Sequence, residues 1–195
     1  MKEKRKSYRD RYFEDYQAVK VPADNKKGYK VDYRYTGFWV RYENSTQPLK
    51  NTKIRFAVLE VLSILIYVPA VLSGTPLSCA RLANGFGTLQ LVPWIAELIG
   101  VVRFLIASEY VKELSTIEIG ATIRYGCLIR FFLAALSAFA GGIQILVQGK
   151  AVLPDLAVFL GIMISAVISL LIRKEYDHLL LIMYRNDNGK PGTRI

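Results

Sequence analysis

Apolar residues gather from residue 54 onward into four runs, residues 54–73, 85–107, 126–148 and 152–172, separated by short polar joints. An α-helix rises about 1.5 Å per residue and a bilayer's hydrocarbon core is about 30 Å thick, so about 20 mostly apolar residues cross it. Each run has that length. The pattern predicts an all-α polytopic membrane protein with four transmembrane helices, arranged as two antiparallel hairpins. Ser115 and Glu118 have capping-box spacing, so a helix is expected to start near Thr116 and protrude before entering the third span near Gly126.

Residues 1–53 are patterned differently. Tyr29, Val31, Tyr33 and Tyr35 alternate with Lys30, Asp32 and Arg34, the period of a half-buried strand. Asp24 to Gly28 is the turn before it and Ala18 to Val21 the expected partner, which together predict a small β-hairpin-like element. A ribbon that small is rarely stable alone. It is expected to rest on the membrane surface, a helix or a partner protein, with Tyr33, Tyr35, Phe38 and Trp39 as the candidate partner surface. Tyr8, Tyr12 and Tyr16 recur at spacing four, the pattern of a short helix over residues 1–16. In residues 173–195, Tyr176, Leu179, Leu180 and Met183 predict a helix over 175–184, with a disordered tail from Asn186.

Charge then sets an orientation. Of 26 Lys/Arg and 16 Asp/Glu, residues 1–55 hold 15 and 7, so most of the net +10 lies before the first run. Positive residues collect on the cytoplasmic side, with Tyr and Trp at headgroup level. The chain is therefore expected in the cell (cytoplasmic) membrane, multi-pass, with both termini cytoplasmic, and the first run acts as an uncleaved insertion signal. The external joints carry only Arg81 and Lys150 as basic residues. Basic residues among aromatics also suit nucleic acid, but the membrane accounts for them without a new ligand, so nucleic acid is disfavoured.

Few polar residues interrupt the runs. Gln90, Pro93, Glu97 and Gly100 share one helical stripe, and a carboxylate in mid-membrane normally faces a bundle interior or a cavity. Counted by depth, Glu60 and Arg103 are expected to pair near the cytoplasmic side and Arg130 to snorkel to that interface. Glu97 then has no basic residue at its own level, so water or a ligand must reach it. Glu97, Gln90, Glu60 and Arg103 form the candidate intramembrane polar site. Ala134, Ala138 and Gly142 repeat at spacing four, as do Gly161, Ser165 and Ser169. Small residues at this spacing let backbones approach closely in lipid, so the two stripes are expected to join spans three and four or to mate with a second copy.

Candidate chemistry changes little. There is no phosphate loop, HExxH, GxSxG or histidine cluster. Cys79 and Cys127 form no ligand set, and His178 stands alone. No catalytic residue, metal or cofactor is expected. Two functions follow: an accessory or scaffold subunit that binds the lipid bilayer and a protein partner or a second copy, or a small transporter or channel with Glu97 as its proton or cation site.

Overall fold

The computed structural model describes residues 13–24, 26, 28–44, 47–73, 81–148, 153–187 and 190–194. Most of the expected helix over 1–16, the outer joint with Cys79, and the joint between spans three and four lie outside them. The chain divides into two compact units, one of residues 44–107 and 118–180, the other of the flanking and intervening segments.

The first unit is helical. Its elements are α1 (Leu49–Leu72), α2 (Arg81–Leu89), α3 (Leu91–Ile106), α4 (Glu113–Gln148) and α5 (Leu153–Asp177), of which α4 begins in the other unit. Four helical stretches are long and apolar enough to cross a membrane, with α2 and α3 together making the second, which suggests a multi-pass membrane protein. Unlike those of a water-soluble bundle, their outward faces are apolar, while polar residues share the interior with apolar ones. The buried stripe of α1 is Thr52, Phe56, Glu60, Ser63, Tyr67 and Ala70, while Ile54, Val58, Val61, Leu62 and Leu65 are exposed. Apolar side chains gain nothing by leaving a hydrocarbon solvent, whereas polar ones must find partners inside.

Local chemistry explains the joints. Gln90 separates α2 from α3 but keeps right-handed helical angles, and its carbonyl accepts from the Trp94 N–H at 3.0 Å. Pro93, one turn later, has no N–H to give the carbonyl four residues earlier, so the helix is interrupted there. Lys53 Nζ donates to the Leu105 and Ala107 carbonyls at 3.1 and 2.7 Å, covering acceptors at the end of α3 that have no helical partner.

Glycines set the helix contacts. A Cβ on Gly100 would stand 2.8 Å from Ile123 Cγ1, and one on Gly126 would stand 3.0 Å from the Glu97 nitrogen and the Pro93 carbonyl. These are the close approaches of α3 to α4. A Cβ on Gly161 would stand 2.9 Å from Ala70 Cβ, and Ser165 Oγ lies 3.4 Å from Ser63 Oγ, so the small stripe of α5 lies on α1. Of the other stripe, Ala134 is fully buried with Ala70, Val158, Ile162 and Ala166, whereas a Cβ on Gly142 would meet nothing within 4 Å.

The second unit is built from two small sheets. β1 (Tyr16–Pro22) pairs antiparallel with β2 (Tyr29–Tyr35), Tyr16 opposite Tyr35 and Pro22 opposite Tyr29. The turn closes through Ala23 N–H to the Gly28 carbonyl at 3.2 Å, and Gly28 has φ +69°, a conformation that a side chain disfavours. The other sheet has the order β4-β3-β5-β6, with β3 at Trp39–Glu43, β4 at Tyr110–Lys112, β5 at Leu180–Asp187 and β6 at Lys190–Arg194.

That sheet corrects the all-α expectation and the C-terminal reading. Residues 180–187 form a strand rather than a helix, and 190–194 pair with it instead of trailing off. Ile182 is buried between exposed Leu181 and Met183. The run from Leu179 to Ile182 satisfies either period, and only its pairing within the sheet decides it.

Candidate functional site

The polar side chains of the helical unit converge on Arg130, which α4 places opposite Glu97 of α3. Both residues are fully buried, and Arg130 Nη1 lies 3.3 Å from Glu97 Oε2. Ser169 of α5 donates to the same oxygen at 2.5 Å. Arg130 Nη2 donates to Ser63 Oγ at 2.8 Å and also bonds Ser165 Oγ. The guanidinium carbon stands 5.4 Å from the Tyr67 ring centroid and 5.8 Å from that of Trp94. A desolvated cation between aromatic faces gains from both rings.

Glu60 joins from the next turn of α1, where Oε1 accepts from Trp94 Nε1 at 3.0 Å. Tyr67 Oη donates to the Gly87 carbonyl at 2.5 Å. The Cys127 thiol lies against Glu97 and Ser169. Four of the five helices thus supply the cluster. Three of its buried atoms find no hydrogen-bond partner among the described residues, Glu60 Oε2, Glu97 Oε1 and Arg130 Nε, and neither do the two amide atoms of Gln90, which the structure does not join to the cluster. Each is costly to leave unmet in a low-dielectric interior.

The candidates from sequence are distributed as follows. Glu97, Gln90 and Glu60 are buried, and Glu97 has a cation at its own level, contrary to expectation. Arg130 is buried instead of snorkelling. Arg103 bonds Glu118 at 3.0 Å rather than Glu60. One cause underlies all three differences. Helix α4 packs on α3 with Glu118 beside Arg103 and Gly126 beside Glu97, so Arg130 stands at the level of Glu97, whereas depth counted from Gly126 puts it near the interface. Arg103 against Glu118, Gly100 against Ile123, and Glu97 against Gly126 and Arg130 are successive levels of one antiparallel contact.

Ser165 and Ser169, expected only as packing residues, are hydrogen-bonding members of the cluster. Arg130, Ser63, Tyr67 and Trp94 were missed. The signal was present: Ser63 and Tyr67 continue the Glu60 stripe, and Arg130 stands four residues before Ala134 at the head of the small-residue stripe.

In the sheet unit the candidate surface splits. Tyr33 is 60% exposed and Phe38 43%, but Tyr35 is buried and Trp39 is half-buried. Tyr35 Oη donates to the Phe38 carbonyl at 2.7 Å, Asn186 Nδ2 donates to the Tyr35 carbonyl at 2.8 Å, and burial pushes the Tyr35 phenol up to about 12. Lys112 Nζ bonds Tyr16 Oη at 2.5 Å and lies 5.3 Å from the Tyr35 ring centroid. Tyr35 and Trp39 therefore hold this unit together, while Tyr33 and Phe38 present surface.

The cluster offers charge and hydrogen bonds, and no group of three His, Cys, Asp or Glu among the described residues suits a metal ion. No protein-family model matches the chain, and no curated protein or solved structure shows significant similarity to it.

Proposed function

We propose that the chain is a non-catalytic membrane protein, an accessory or scaffold subunit that displays its sheet unit to a protein partner. The observation carrying this reading is the composition of the four-stranded sheet. β3 precedes the first span, β4 lies between the second and third, and β5 and β6 follow the fourth. Strands of one sheet must share one side of a bilayer, so two crossings separate each segment from the next. The excess of Lys/Arg before the first span favours the cytoplasmic side of the cell membrane, with both termini there. The spans then run antiparallel in sequence order, one and two as the first hairpin, three and four as the second.

Surface chemistry favours a protein partner. Tyr29, Val31 and Tyr33 alternate along β2 on one exposed face, and Phe38 is exposed just before β3. Apolar and aromatic side chains on so small a unit are the usual anchors of an interface. Purification of the full chain in mild detergent tests this: a stoichiometric partner is expected, and Tyr33→Ser with Phe38→Ser is expected to release it while the helices keep their thermal stability. Retention of the partner by that double variant would sink the reading.

A small transporter or channel is the second reading, favoured by the buried oxygens of Glu60 and Glu97 that have no partner among the described residues. It predicts a pH-dependent flux in proteoliposomes that Glu97→Gln removes.

A further inference from the structure

The buried cluster contains two carboxyl groups and one guanidinium. Arg130 bonds Glu97 and stands over the Trp94 ring, and Trp94 donates to Glu60, so the two carboxyls flank one guanidinium. All three are nearly or wholly inaccessible, at 4, 0 and 0% exposure. With both acids ionised the core would carry one uncompensated negative charge, which a low-dielectric interior disfavours so strongly that a buried acid takes up a proton instead.

We propose that the core of the helical unit binds one proton per chain, held by the Glu60–Glu97 pair against Arg130. Glu97 Oε2 is occupied by Arg130 and Ser169, and Glu60 Oε1 by Trp94. Each carboxyl keeps one oxygen, Glu97 Oε1 and Glu60 Oε2, with no hydrogen-bond partner among the described residues, and either can carry the proton. Because both acids flank the same guanidinium, the proton is assigned to the pair rather than to one residue.

The neighbours supply no competing charge. Tyr67 and Ser63 of α1 and Ser165 of α5 face Arg130, while Trp94 of α3 faces Glu60, and Cys127 of α4 and Ser169 of α5 face Glu97. Only the phenol and the thiol among these can ionise, and both ordinarily do so above neutrality. A proton fits the set better than a metal ion, since no triad of metal-binding side chains is present among the described residues. The inference holds whether the chain is a scaffold or a transporter.

Infrared spectroscopy of the full chain in lipid nanodiscs at neutral pH tests it through the C=O band of a protonated carboxyl. The wild type is expected to show that band, and E60Q and E97Q are each expected to lose it, because the remaining carboxylate becomes the counter-ion of Arg130. R130Q is expected to double it, both acids then being neutral. A band that survives in both glutamine variants belongs to another acid, such as buried Asp155, and overturns the proposal. So does a wild type without the band.

A second measurement serves if R130Q does not fold. If the folded unit keeps a proton that the unfolded chain releases, the wild-type melting temperature is expected to fall as pH rises from about 5 toward neutrality. E60Q and E97Q are expected to flatten that slope, and an unchanged slope in both would refute the proposal.

Discussion

The two units solve opposite burial problems. The sheet unit hides Tyr35, Val40, Tyr42 and Ile182 and leaves Lys20, Lys30, Asp32 and Arg185 outside, as a domain in water does. The helical unit hides Glu60, Gln90, Glu97, Arg130 and four serines, and leaves Leu65, Leu72, Ile106 and Phe139 outside. The difference teaches that burial follows the solvent and not the residue type. In water the apolar face is driven inward; in lipid, close packing and internal hydrogen bonds hold the helices together.

Substitutions can break or sharpen this contrast. Arg130→Met is expected to have the largest effect, about 3–5 kcal/mol of stability, since it leaves two buried acids without their cation. Thermal unfolding in detergent checks it. Glu97→Gln should cost less than Arg130→Met, because Glu60 remains to balance the guanidinium. Gly126→Leu is expected to destabilise by about 1–3 kcal/mol through overpacking against the backbone of Glu97, with little change in the sheet unit. In that unit the ordinary rule returns. Tyr35→Phe removes the bond to the Phe38 carbonyl and is expected to cost about 1 kcal/mol, read by hydrogen exchange across β2 and β3.

Tyr35 also carries a pH signature. Its phenol rises to about 12 in the folded state from an ordinary value near 10. Between those values the folded protein holds a proton that the unfolded chain has released, so stability is lost as pH climbs from about 10 to about 12. Tyr35→Phe is expected to remove that part of the decline. The smallest effect belongs to Val61→Ala on the exposed face of α1, within about 0.5 kcal/mol in detergent. Val40→Ala, the same truncation in the core of the sheet unit, should cost clearly more.

The four spans were legible because length and apolarity are properties of contiguous residues. The β1–β2 ribbon was legible for a related reason: alternation and a turn lie within one short segment. What escaped was register. Glu97 looked unpartnered because depth in the third helix was counted from Gly126, with residues 113–125, more polar than the spans, read as a joint and a protruding turn of that helix. Their Ile119, Gly120 and Ile123 are nevertheless buried, and that packing extends the helix inward and carries Arg130 to the level of Glu97. The four-stranded sheet escaped for the same reason at longer range, since β3, β4 and β5 lie far apart in the chain and none announces its neighbours.

The place of β5 beside β3 also sets a schedule for synthesis. β3 leaves the ribosome before any span, can meet β4 only after two spans, and gains β5 only after all four. A nascent chain stalled or cleaved before its last span therefore keeps one edge of β3 unpaired, a ready target for chaperones and proteases. Closure of that edge marks a chain synthesised past its fourth long apolar helix.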